Sequence, residues 1–240
     1  MGEQLWPGGP VLEQAEGVFP LGTDALLLAA FTRPGNRDRV LDLGTGSGVL
    51  PLVLCQNRPE IRVTALDSCP AACTLARTNM KRNRIIQQVD VIEGDLRQFR
   101  DCLPHGAFDL AVSNPPYFPA DAGAAASKGL RDARSDGTCT LPELCAAAAW
   151  ALRYGGRFCL VFRPERLCDL LSALREYRLE PKRLQTVHHS PGMPVNLVLV
   201  EARYGGKPGL VWEKDRYLHR ADGSSIPLFP DSLSLDTEVH

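Results

Sequence analysis

At 240 residues with 44% apolar side chains, the chain is long enough for one large α/β domain or two small ones and can bury a sizeable core. Lys plus Arg number 27 against 28 Asp plus Glu, so no global field advertises nucleic acid as a partner and local clusters must carry any such contact. Met1 to Pro10 contains no basic region followed by an apolar run, no stretch of eighteen apolar residues occurs, and Gly2 lacks the Ser or Thr of a myristoylation signal. A cytoplasmic address without a membrane partner is expected.

Eight cysteines (Cys55, Cys69, Cys73, Cys102, Cys139, Cys145, Cys159 and Cys168) are scattered, mostly within apolar segments, and none forms a C-x-x-C pair. They read as reduced, mostly buried thiols, and no metal site is expected.

In chain order, Arg39 to Leu43 is a short buried-strand candidate, and Ser47 to Asn57 reads as a helix packed by Val49, Leu50, Leu52, Val53 and Leu54. Pro51 falls in the first turn or so of that helix, where a missing N–H is tolerated. A second strand, Ile61 to Leu66, ends on Asp67; a helix beginning near Pro70 follows, with Ala72, Leu75, Ala76 and Met80 as its apolar stripe. Val89 to Ile92 is a third strand ending near Gly94-Asp95, and Phe108 to Ser113 a fourth ending on Asn114-Pro115-Pro116-Tyr117. A polar and small-residue loop, Phe118 to Thr140, precedes an alanine-rich helix from Pro142 to Arg153 that Gly155-Gly156 should end. Arg157 to Phe162 is a fifth strand and Pro164 to Tyr177 an amphipathic helix. Arg183 to His188 and Val195 to Ala202 then form an antiparallel pair, joined by the short link Pro191 to Pro194. From Tyr204 onward the chain is Gly- and Pro-rich, with a loosely tied end expected beyond Asp231.

Alternating strands and helices of this kind predict an α/β fold: a mostly parallel seven-stranded sheet with an antiparallel last strand and helices on both faces. In such sheets ligands sit outside the carboxyl ends of the strands near the point where strand order reverses, so Asp42, Asp67, Asp95 and Asn114 should share one edge.

The turn Asp42-Leu43-Gly44-Thr45-Gly46-Ser47-Gly48 reads G-x-G-x-G and lacks the spacing of the dinucleotide fingerprint. Gly44, Thr45, Gly46 and Gly48 suit the close approach of a smaller adenosyl ligand. Asp67, about twenty residues on, can accept from both ribose hydroxyls, and Asp95 from an adenine amine. In the tetrapeptide, the Asn114 side-chain oxygen and the Pro115 carbonyl can both accept from one NH2 group, while the prolines remove backbone donors and stiffen the turn. Tyr117, with Phe118, can stack on the ring that carries the amine, beside Pro116. Together these features point to a methyl donor held next to a planar amine.

These residues resemble class I S-adenosylmethionine-dependent methyltransferases from about Gly17 to Tyr204. Asn-Pro-Pro-Tyr resembles the group that methylates planar nitrogens. Gly17 to Leu28, Pro181 to Leu184 and Val198 to Glu201 are similar to bacterial tRNA adenine-N6-methyltransferases that modify an adenine next to the anticodon. The resemblance implies a Rossmann-like fold and S-adenosyl-L-methionine as cofactor. It also implies a tRNA anticodon loop as partner, and Thr23 and Asp24 closing over the methionine end of the cofactor. On their own, Thr23-Asp24 before an apolar run make a good helix start. The chain is accordingly read as a single methyltransferase domain over 1–240: a cap segment at 1–37, a Rossmann-like core at 38–204, and a partly flexible extension at 205–240. Ala133-Arg134-Ser135-Asp136 departs from the expected Ala-Arg-His-Glu, which touches RNA choice rather than methyl transfer.

The expected function is adenine-N6 methylation. Protein glutamine N5-methylation is the alternative with the same acceptor geometry, although its enzymes carry a helical domain before the glycine turn. Guanine-N2 methylation of ribosomal RNA ranks third, since Phe is more usual at position 117, and a cofactor-binding RNA scaffold is the non-enzyme alternative. For RNA contact the preferred cluster is Lys128, Arg131 and Arg134. Lys81, Arg82 and Arg84, and the tail group Lys214, Arg216, His219 and Arg220, are further candidates. His188-His189 reads as a strand-end pair rather than a metal site.

Overall fold

The structure is a computed structural model that describes residues 2–15, 18, 21–56, 58–115 and 139–229. Its strands are β1 (Glu3–Gln4), β2 (Val11–Leu12), β3 (Arg39–Leu43), β4 (Arg62–Asp67), β5 (Val89–Glu93), β6 (Phe108–Ser113), β7 (Leu152–Phe162), β8 (Leu179–His188), β9 (Val195–Tyr204), β10 (Val211–Trp212) and β11 (Arg216–Tyr217). The α-helices are α1 (Thr23–Phe31), α2 (Val49–Leu54), α3 (Pro70–Arg82), α4 (Phe99–Cys102), α5 (Leu141–Ala151) and α6 (Leu167–Glu176).

Among the described residues the main sheet has nine strands, ordered β10-β8-β9-β7-β6-β3-β4-β5, with β11 also paired to β8. Neighbours from β5 to β7 are parallel, and β9 runs antiparallel between β7 and β8. Period-2 alternation splits the strand side chains between two cores. Val40, Val63, Leu110 and Val112 pack with α1, α2 and α3, whereas Leu41, Leu43, Ala111 and Phe158 pack with α5 and α6. A sheet covered on both faces favours parallel strands that read as near-continuous apolar runs, as Val40-Leu41 and Leu110-Ala111-Val112 do. None of the described helices is long and apolar enough to cross a membrane.

Three expectations change. The helix after the glycine turn is shorter, Val49–Leu54: Gly48, at a left-handed φ of 83°, is its N-cap and delays its start, and Cys55 caps its other end. The alanine-rich helix ends at Ala151 and passes directly into β7, so Gly155-Gly156 lie inside a strand instead of ending the helix. The pairing register jumps from Phe108↔Leu152 to Leu110↔Arg157, and Gly155, at φ 79°, turns the extra residues out of the ladder. A Cβ on Gly156 would lie 3.2 Å from the Phe108 carbonyl oxygen, so the bulge also needs glycine for close approach. Third, the segment after Tyr204 adds two short strands, β10 and β11, both parallel to β8, to the seven expected. Residues beyond Phe229 lie outside the described residues.

Candidate functional site

The chain runs outward from β3 to β4 and β5, then returns to the other side of β3 as β6, so strand order reverses between β3 and β6. The glycine turn leaves β3 at this point. Gly44 and Thr45 both donate their N–H groups to the Leu66 carbonyl, at 2.9 and 3.0 Å, which bends the turn over the end of β4. Gly44, Gly46 and Gly48 hold φ of 81°, 55° and 83°, a region that L side chains rarely adopt. A Cβ on Gly48 would meet Met80 Cε at 2.7 Å, so this glycine also lets α2 approach α3. At Gly44 and Gly46 nothing lies within 4 Å of where a Cβ would sit, and open space borders the turn.

Three carboxylates lie at or near the ends of β3, β4 and β5, near this turn. Asp67 Oδ2 accepts from the Gly46 N–H at 2.8 Å and its Oδ1 from the Cys69 N–H at 2.9 Å, so the residue ending β4 reaches across to the turn. Each oxygen keeps a lone pair for a further donor. Asp95, after β5, accepts from the Arg97 backbone N–H at 2.8 Å and from the Arg97 guanidinium at 2.6 to 3.0 Å. Those bonds hold its carboxyl below the usual range. Asp42, inside β3, is fully buried, and neither carboxylate oxygen has a hydrogen-bond partner among the described residues; the same is true of the buried Thr45 hydroxyl. Burial pushes the Asp42 carboxyl up to about 7, with the neighbouring Thr45 pulling it down and Asp67 adding to the rise.

On the other side of the reversal point, Ser113 ends β6 and its hydroxyl donates to the Leu43 carbonyl at 2.7 Å. Asn114, half-buried, and Pro115, buried, follow at once. Thr23 and Asp24 open α1, with Gly22 as N-cap. Burial raises the Asp24 carboxyl, and Arg163, just past the end of β7, pulls it back, which puts Asp24 at the same carboxyl edge. Thr23, Asp24, Asp42, Gly44, Thr45, Gly46, Gly48, Asp67, Asp95, Asn114 and Pro115 therefore occupy one edge of the sheet. Pro116, Tyr117, Phe118, Lys128, Arg131 and Arg134, and the Ser135-Asp136 departure, lie outside the described residues.

Asn79 escaped the sequence reading. Fully buried on α3, its Nδ2 donates to the carbonyls of Ser47, at 2.9 Å, and Glu13, at 3.0 Å, while its Oδ1 accepts from the Glu13 N–H at 2.8 Å. One amide thus ties the segment leading to α1 to the glycine turn. The available signal was a polar residue adjoining Met80 in the apolar stripe of α3. Arg183 is a second such residue. From β8 it pairs with Glu201 at 2.6 Å and Glu213 at 2.8 Å, donates to the Phe31 carbonyl at 3.2 Å, and lies 4.2 Å over the Phe31 ring. It supplies the positive charge that the last turn of α1 itself lacks.

The basic clusters separate. Lys81 and Arg82 end α3, with Arg84 just beyond, and Arg82 pairs with Glu13. The tail group instead follows β11 to the carboxyl end of β8.

An open glycine turn beside a buried carboxylate and hydroxyl that have no hydrogen-bond partner among the described residues, with the Asp67 carboxylate bonded to the same turn, suits a ligand that carries both positive charge and hydroxyl groups. The methyltransferase small domain family matches residues 15–177. The chain is 30% identical over 198 residues to the tRNA1(Val) (adenine(37)-N6)-methyltransferase of Porphyromonas gingivalis, covering 80% of this chain and 77% of that protein. It is also 30% identical over 181 residues to the enzyme of the same name from Yersinia pestis, covering 75% of this chain and 72% of that one. A solved structure from Agrobacterium tumefaciens, described as a predicted O-methyltransferase, matches with a TM-score of 0.70 at 21% identity, over 85% of this chain and 92% of that one, a likeness of fold. The chain belongs to the methyltransferase small domain family, as a class I S-adenosylmethionine-dependent methyltransferase.

Proposed function

We propose that the protein methylates the exocyclic N6 of an adenine in a tRNA anticodon loop. The observation that carries this reading is the position of Asn114 and Pro115: they leave β6 at the reversal point, across from the glycine turn and on the same edge as Asp67. The names of the relatives from Porphyromonas and Yersinia favour adenine over the side-chain amide and the guanine that the same acceptor pair could serve.

When bound, S-adenosylmethionine supplies an electrophilic methyl group on a sulfonium, so the chain must chiefly bind and orient. Asp67 accepts from the ribose hydroxyls and Asp95 from the adenine amine of the cofactor. Gly44, Thr45, Gly46 and Gly48 would admit its body, Asp42 and Thr45 would offset its positive charge, and Thr23 and Asp24 would hold its methionine end. The Asn114 side-chain oxygen and the Pro115 carbonyl accept both protons of the target amine, which favours the pyramidal nitrogen formed as the methyl arrives and offsets its developing charge. Tyr117 and Phe118 stack the base at about 1–3 kcal/mol each. An anticodon loop presents an adenine that unstacks at lower cost than one in a duplex.

The test is incubation of the purified protein with labelled cofactor and either total tRNA or release-factor protein, with the product read by mass spectrometry. Label on N6-methyladenine in tRNA is expected; label on protein alone, or on neither, overturns the reading. Asn114→Ala should retain cofactor binding and lose turnover.

A further inference from the structure

β8 runs parallel to β7 and β6, so its last residue, His188, comes out on the edge that carries Asn114. Three strand spacings separate β8 from β6, roughly 14 Å. β11 continues the sheet there, with Tyr217 opposite His188, and beyond it Leu218 and His219 donate their N–H groups to the carbonyls of His188 and His189 at 3.1 and 2.9 Å. This pairing assembles two ring contacts: His188 with Tyr217 at 5.4 Å between centroids, and His189 with His219 at 4.4 Å. Arg220 follows in a turn closed by its N–H to the Ser224 carbonyl at 2.8 Å, with Gly223 at φ 84°.

The charges on this surface are sorted. Asp215 is taken up by the Thr186 hydroxyl and lies 3.8 Å from His188 Nε2, while Asp222 accepts from the Ser224 N–H and hydroxyl at 2.8 and 2.6 Å. The exposed Arg220 guanidinium is held only by neutral acceptors in the bonds described for it, Ser224 Oγ at 3.2 Å and the Ser225 carbonyl at 3.4 Å, so its charge remains for a partner. Lys214 is exposed nearby in sequence. Planar rings beside a cation whose local partners are uncharged match the two needs of a nucleic acid single strand: a face for bases and a counter-charge for phosphate.

We propose that His189, His219 and Arg220 form a platform for single-stranded nucleotides of the RNA substrate that flank the methylated base. The platform rests on the tRNA reading above. It stacks an unpaired base against the histidine rings and sets Arg220 against a backbone phosphate.

The experiment measures equilibrium binding of an anticodon stem-loop RNA to the full chain with S-adenosylhomocysteine present, so that no turnover is needed. The paired variant His189→Ala with His219→Ala should weaken binding about tenfold, the loss of one stacked base. Arg220→Gln should weaken binding at low salt and reduce the log–log salt slope by about one. S-adenosylhomocysteine affinity should stay unchanged in both, which checks the fold of the variants. Independently, 4-thiouridine placed beside the target adenine should cross-link the unaltered protein within 188–220. RNA binding equal to wild type in both variants, or cross-links mapping only elsewhere, overturns the platform and leaves the tRNA reading intact if the wild type still methylates tRNA. A wild-type protein that binds no RNA overturns both.

Discussion

The Ser113 hydroxyl donates to the carbonyl of Leu43 at 2.7 Å and clips together the two strand ends that flank the reversal of sheet order. Both partners are buried, and Asn114 follows Ser113 directly. Ser113→Ala should cost about 1–2 kcal/mol, because the bond is lost while the carbonyl stays buried. The loss of single-turnover methylation should exceed the loss of cofactor affinity, since Asn114 loses its anchor while Asp67 keeps its own. Denaturant titration and rapid-quench kinetics check the two parts.

Asp42 sets a pH dependence. Its folded carboxyl titrates near 7 and its unfolded one near 3.8, so between these values the folded state holds a proton that the unfolded state has released. Stability should therefore fall as pH rises from about 4 to 7 and level off above. Asp42→Asn should flatten that decline and be the more stable protein at pH 8, as unfolding midpoints of both proteins across the range would show. Binding a cationic ligand beside Asp42 favours its ionised form, so calorimetry near pH 6 in buffers of different ionisation enthalpy should register proton release in the wild type and none in Asp42→Asn.

Asn79→Ala should leave the Glu13 N–H and the Ser47 carbonyl without their shared partner, costing about 2–3 kcal/mol. Hydrogen exchange at Glu13 should speed up by more than exchange in the distant β8–β9 pair. A uniform change across the sheet would assign Asn79 to general stability instead.

Arg183→Met should destabilise the fold by about 2–3 kcal/mol, because Glu201 and Glu213 lose their counter-charge in a largely buried setting. Adding Glu201→Gln should recover part of that loss. Arg183 holds the Glu213 carboxyl below its usual range, so the Glu213 contribution is present at neutral pH and lost as pH falls through the lowered value. Chemical denaturation from pH 3 to 7 should show wild type and Arg183→Met converging toward the acid end.

Much of this architecture was legible in the chain. The bounds of Arg39–Leu43 and Phe108–Ser113 follow from the sequence, because each apolar run meets a polar residue or a turn at both ends. The edge shared by Asp42, Asp67, Asp95 and Asn114 follows from strand polarity alone. Gly155-Gly156 misled because a glycine pair is as suited to a bulge as to a helix end, and only the pairing of β7 with β6 decides between them. β10 and β11 were missed for a related reason: two residues carry no period, and their extended form depends on β8, some thirty residues earlier. Asn79 and Ser113 act through backbone carbonyls distant in sequence, which no local pattern encodes.

The pairing of β10 and β11 along β8 also covers the outer edge of the main sheet. β8 is ten residues long, and without the two short strands it would end the sheet with a row of unpaired backbone groups beside Leu184 and Val187. An open edge of that length is a template for strand addition between molecules. Cutting the chain after Gly206 should thus bare that edge and increase edge-to-edge self-association over the full chain, as light scattering of the two proteins at equal concentration would show.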